Sequence, residues 1–203
     1  MSEPKAVAHS VETLDEDLGI RYWTVEDDRL GGHLSTAYAV GSVLIDPLPL
    51  ARIEELGDVT AIVLTSGPHQ RSAWRLRAEL EVPVWAPALA QELDEEPDER
   101  YGHSAVLPAE LVAFHTPGPG TTQHTLLLED YVGFVPDLVL TSADGGIRLT
   151  PDEWLRDPQQ ARDSVRLLLE QSIDVLCPSH GLPVTDGVQE KLQAALDAAE
   201  AEE

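Results

Sequence analysis

Three short stretches near the start of the chain, residues 19–26, 33–40 and 42–46, mix apolar and polar side chains with the short period of strands. An acidic turn and Gly41 separate them, and links this short join only antiparallel neighbours. Residues 60–64 are apolar after the first, the pattern of a strand covered on both faces. Between residues 71 and 81, Ala73, Trp74, Leu76 and Leu80 fall on one helical face, and residues 82–85 follow as a strand, which predicts a βαβ unit. A short helix is expected over residues 88–95, leading into the acidic excursion 94–99.

The second half repeats the arrangement. Strands are expected at residues 105–107, 111–115, 122–129 and 131–135, then helices at 151–157 and 158–172, the second opening on Pro158 where a missing N–H costs nothing. A strand at 174–177 and a helix at 188–200 close the pattern. Two halves, each with antiparallel strands followed by helices, point to an α/β (α+β) fold with two sheets packed face to face and helices outside. A doubly wound parallel sheet is the competing assignment, disfavoured by the short links. Residues 1–18 read as an acidic, flexible segment and 19–203 as one domain.

Charge narrows the choice of partner. The chain of 203 residues carries 37 acidic and 13 basic side chains, a net charge of −24, and its 42% hydrophobic content suffices for one sizeable core. Such a surface repels phosphate backbones and anionic lipid, so neither a nucleic acid nor a membrane is an expected partner. Arg71, Arg75 and Arg77 are the densest basic group, and a helix would spread them as a solvated flank. With lysine at only Lys5 and Lys191, the surface resembles that of salt-in halophiles. Its self-repulsion is expected to be relieved by screening, so the melting midpoint should be higher in ~3 M KCl than in ~0.1 M, and equal midpoints would refute this. One cysteine, Cys177, allows no internal disulfide, and no apolar targeting or spanning segment is visible, so a cytoplasmic location is the expectation.

Candidate chemistry sits in the loops after strands. Val43-Leu44-Ile45-Asp46, Ile62-Val63-Leu64-Thr65, His115-Thr116-Pro117-Gly118 and Pro178-Ser179-His180-Gly181 follow one another in an order and spacing that resembles the metallo-β-lactamase superfamily, from about residue 19 to 184. The resemblance implies a four-layer αββα sandwich and, for intact members, a two-zinc hydrolase. The departures concern the ligands. Where the family has T-H-x-H-x-D-H, this chain reads Thr65-Ser66-Gly67-Pro68-His69-Gln70-Arg71. Ser66, Pro68, Gln70 and Arg71 stand at the ligand positions and His69 at a spacer. Pro119 replaces the ligating histidine of the "HTPGH" turn, which leaves His115 as the non-ligating one. Asp137 and His180 are the two of seven ligand positions that keep their residue.

Two ligands cannot hold a catalytic zinc, which needs about three plus an open position. No cofactor is therefore expected, and Arg71 is expected to replace the lost cation by pairing with Asp137 in the old cleft. The leading expectation is a non-catalytic or binding member whose ligand is a small molecule or a protein, with a homodimer as one possibility. The alternative is a hydrolase of small esters or lactones in which His69, His115, Asp137 and His180 hold one zinc, iron or manganese ion; its catalytic candidates are His69, Asp137 and His180. Nucleophilic catalysis is weakly supported: Cys177 lies in an apolar strand, and Ser66 lacks a strand-to-helix elbow.

Overall fold

A computed structural model describes residues 3–27 and 33–201. The chain forms two compact units: one runs to Gly102 and includes Leu107–Glu110, and the other comprises His103–Val106 and everything from Leu111 onward.

The first unit is built on one seven-stranded sheet, ordered along the chain: β1 (Glu12–Asp15), β2 (Ile20–Glu26), β3 (Leu34–Val40), β4 (Val43–Ile45), β5 (Ala61–Val63), β6 (Val84–Pro87) and β7 (Glu99–Tyr101). The opening strands pair antiparallel as their short links require, while β4 to β7 pair parallel. The helix α1 (Ala73–Leu80) makes the expected crossover between β5 and β6. Trp23, Ala37, Leu44, Leu48, Ile62, Leu64 and Leu76 fill the core, and Trp23 places its indole N–H on the Leu48 carbonyl at 3.0 Å, so that the ring is buried without orphaning its polar edge.

Two expectations fail here for local reasons. The helix expected over residues 88–95 does not form, because the backbone there is engaged by side chains from outside it: Arg100 donates to the carbonyls of Ala88 and Ala90, and Gln70 bonds Glu92 and Asp94. Nor is the three-arginine group a solvated helix flank throughout. Arg75 and Arg77 are, in exposed pairs with Glu3, Glu79, Glu95 and Asp98, but Arg71 precedes the helix and is buried. Within the segment expected to be flexible, β1 pairs with β2 and Ala8 bridges to Leu50 in the core. Most of the acidic turn between β2 and β3, residues 28–32, lies outside the described residues.

The second unit carries a four-stranded sheet in the order β13-β10-β9-β8, from β8 (Val112–His115), β9 (His124–Leu128), β10 (Val132–Val135) and β13 (Val175–Pro178). A two-stranded sheet of β11 (Val139–Thr141) and β12 (Ile147–Leu149) accompanies it, unforeseen because strands of three residues give no measurable period. Residues 105–107 contribute one isolated bridge, Val106 to Val112, in place of a strand. The helix expected at 151–157 shrinks to a 3₁₀ turn, Asp152–Trp154, since Asp157 instead caps the next helix by accepting the Gln160 N–H at 3.0 Å. That helix, α2 (Pro158–Leu169), and α3 (Val188–Ala201) bury Ala161, Val165, Leu168, Leu192 and Leu196 with the sheet residues Leu127, Val135 and Leu176. Both units mix parallel and antiparallel pairs, so the doubly wound alternative does not hold. Among the described residues no helix is long and apolar enough to cross a membrane.

Candidate functional site

In the first unit the chain ends β4 in Asp46, whose φ of 45° turns its carboxylate back toward the loop after β5. Asp46 Oδ1 accepts the Thr65 N–H at 2.8 Å, and Oδ2 accepts both the Thr65 hydroxyl at 2.5 Å and His69 Nδ1 at 3.0 Å. All three residues are buried, with His69 at 3% exposure. Because the carboxylate only accepts, the His69 proton lies on Nδ1 and the lone pair on Nε2. This is how a carboxylate orients an imidazole for ligation or base chemistry. The sequence reading placed His69 on a spacer and gave Asp46 no task; the aspartate closing an apolar strand was the available signal.

The charge on Asp46 is felt nearby. Tyr101, on β7, donates its hydroxyl to the Leu64 carbonyl at 2.6 Å, and burial first, then the Asp46 charge, pushes its ionisation well above the ordinary range.

Gln70 and Arg71, on the same loop, are engaged as well. Gln70 accepts the Trp74 indole at 2.6 Å and the Asp94 N–H at 2.8 Å and donates to the Glu92 carbonyl at 3.2 Å, which pins the loop that failed to become a helix. Arg71, at φ 33° and ψ −110°, sends Nη1 to the carbonyls of Thr36 at 2.9 Å and Asp46 at 3.1 Å. A non-glycine residue in that region costs on the order of 1–3 kcal/mol, and the surrounding structure holds it there. Pro68 lies in the 3₁₀ turn Gly67–Gln70, and Ser66 Oγ is buried with no hydrogen-bond partner among the described residues.

In the second unit Asp137, again at positive φ (44°), meets His180 with Oδ1 3.0 Å from Nε2. The two positions that kept their residue are therefore in contact. The expected Arg71–Asp137 pair would join residues of the two units. His115 Nε2 lies 2.9 Å from the Thr121 carbonyl, to which it donates. Cys177 is fully buried and its thiol is pushed far above the thiolate range, so it is no nucleophile at neutral pH.

Position 71 thus holds a buried guanidinium, and position 70 an amide whose oxygen and nitrogen are both engaged. Among the described residues Ser66 Oγ and, just after the loop, Ser72 Oγ are buried without a hydrogen-bond partner, and a neutral hydroxyl is a poor zinc donor.

Residues 32–197 match the family model described as metallo-beta-lactamase superfamily. No curated protein matches the chain. Among solved structures, the DIM-1 metallo-β-lactamase is similar at 15% identity with a TM-score of 0.75, covering 96% of this chain and 99% of that one. The FIM-1 enzyme of Pseudomonas aeruginosa, in its mono-zinc form, gives 19% identity and a TM-score of 0.67 over 97% and 98%. An archaeal metallo-β-lactamase superfamily protein from Sulfolobus tokodaii gives 15% and 0.68 over 83% and 81%.

Proposed function

The chain belongs to the metallo-β-lactamase superfamily, and we infer that it does so as a member that has given up the dinuclear zinc centre and binds a small molecule or protein instead of hydrolysing one. The observation that carries this reading is Arg71. Its buried guanidinium bonds the carbonyls of Thr36 and Asp46, so a fixed positive charge occupies a position where the family places a ligand. A zinc ion would meet repulsion in place of a donor. Gln70, with both amide ends committed, adds a second position that can be vacated only by breaking the loop it holds.

Elemental analysis of protein purified in high salt without chelator is expected to find zinc well short of two ions per chain, and added zinc should confer no hydrolysis of a chromogenic β-lactam. Two tightly held zinc ions per chain would overturn the reading.

One observation favours a second reading, a hydrolase of small esters or lactones with one ion held by residues drawn from His69, Asp137 and His180. Asp46 fixes His69 with Nε2 as its lone pair, the state a metal-ligating histidine needs. Under this reading one zinc, iron or manganese ion per chain accompanies the purified protein and is lost in His69→Gln.

A further inference from the structure

A cavity of about 510 Å³ lies within the second unit, bordered by β12, the turn Asp152–Trp154 and α3. Its size is that of a small-molecule site, about 300–1,000 Å³. α3 makes the room: Ala195, Ala198 and Ala199, three and four positions apart on one helical face, line the space that longer side chains would fill. Arg162 on α2, buried at 3% exposure, holds the frame. Its Nη2 donates to Asp152 Oδ2 at 2.9 Å and to the Ala199 carbonyl at 3.5 Å, which ties the turn to α3.

Two further charges line the same cavity and are not neutralised. Arg148 on β12 and Glu153 in the turn have no ion-pair or side-chain hydrogen-bond partner among the described residues, and they do not pair with each other. Arginines elsewhere behave differently: Arg52, Arg75, Arg77, Arg100 and Arg166 all pair with carboxylates. With 37 acidic against 13 basic side chains, carboxylates are plentiful, so a guanidinium left without one beside a cavity stands out.

We propose that this cavity binds a small zwitterion of the amino-acid or dipeptide class, with its carboxylate on Arg148 and its ammonium on Glu153.

Two opposite charges held apart are complementary to a molecule that carries the reverse pair held apart. A guanidinium takes a carboxylate through two parallel N–H···O bonds, and a carboxylate takes an ammonium as a point charge. A simple anion fits less well, because it would meet Asp152 and Glu153 in the cavity and the field of a chain at −24, whereas a zwitterion has no net charge to be repelled. A simple cation would leave Arg148 unanswered. The end of α3 also favours an ammonium: its last turn carries no basic side chain, so the unsatisfied carbonyls there present partial negative charge. Thr150, two residues on from Arg148 and lining the same cavity, is 6% exposed, and its hydroxyl is buried without a partner among the described residues. A carboxylate bound at Arg148 supplies the acceptor that this hydroxyl lacks. Leu149, Pro151 and the alanines of α3 give the ligand's side chains an apolar wall.

The test uses the full chain, isotope-labelled for NMR at the salt concentration where it melts highest, with alanyl-alanine as the probe. Saturable shifts are expected in residues 147–154 and 195–199. N-acetyl-alanyl-alanine, which lacks the ammonium, and alanyl-alanine amide, which lacks the carboxylate, should each bind about tenfold more weakly. Arg148→Gln should abolish the preference over the amide, and Glu153→Gln the preference over the acetylated form; both side chains are exposed, so neither change disturbs packing. No saturable shift, shifts confined to other parts of the chain, equal affinity for the blocked peptides, or unchanged affinity in either variant would each overturn the site. None of these outcomes bears on zinc content, so this site and the reading of the loop at 65–71 stand or fall separately.

Discussion

Gly118→Ala is expected to lower stability by roughly 3–5 kcal/mol, a large share of the ~5–15 kcal/mol that holds an ordinary domain together. Gly118 has φ 138°, and a Cβ built on it would stand 2.5 Å from the Ala161 amide nitrogen and no farther from the Cα, both in α2. Two costs combine, a backbone region that side chains avoid and an overlap with helix backbone that cannot swing aside. The Gly118 carbonyl also accepts the Asp157 N–H at 2.9 Å, so any shift to relieve the clash disturbs the cap of the same helix. Gly120→Ala is the control, because a Cβ there meets nothing within 4 Å. Urea midpoints followed by circular dichroism should drop sharply for the first and stay near wild type for the second. A change below about 1 kcal/mol in Gly118→Ala would show that the turn and α2 do not pack as described.

Asp46→Asn is expected to cost roughly 3 kcal/mol, because it removes one partner of a buried charged network and leaves the others in place. Asparagine tolerates the positive φ of this position almost as well as aspartate, so the substitution isolates the charge. The amide can still accept the Thr65 N–H, and the Thr65 hydroxyl can turn to accept from the new NH₂ group, but that NH₂ then faces His69 Nδ1–H, donor against donor. Thr65→Val removes the hydroxyl alone and should cost about 1 kcal/mol. Chemical denaturation of the two variants should rank them in that order. Equal effects would mean that His69 does not donate to a charged Asp46, and the argument for its Nε2 lone pair would fall with it.

The surviving pieces of the family pattern divide by physical task. Gly118 and Gly181 persist because packing leaves no room for a Cβ: at Gly181, φ 101°, it would collide with the Thr141 carbonyl. Asp46 persists because it ties the end of β4 to the loop after β5. Gln70 and Arg71 hold loops and strand ends through their side chains.

The pattern of apolar residues was enough, by itself, to place the longer strands of both units and α1, α2 and α3, because a side chain's period is written locally, while the family was legible only as a resemblance carried by the order of the loop motifs. It could not place β7, β11 or β12, or refuse the helix at 88–95, since those depend on partners distant in the chain: β6 beside Glu99–Tyr101, and Arg100 and Gln70 on the carbonyls and amides of the loop. The same holds for the chemistry. Which residue types stand in the loop at 65–71 could be read directly, whereas the hydrogen bond of His69 was decided by Asp46, 23 positions earlier, and the pairing of His115 with His124 by the register of two strands. Hydrogen-bond partners are chosen by distance in space, and only the folded backbone sets that distance.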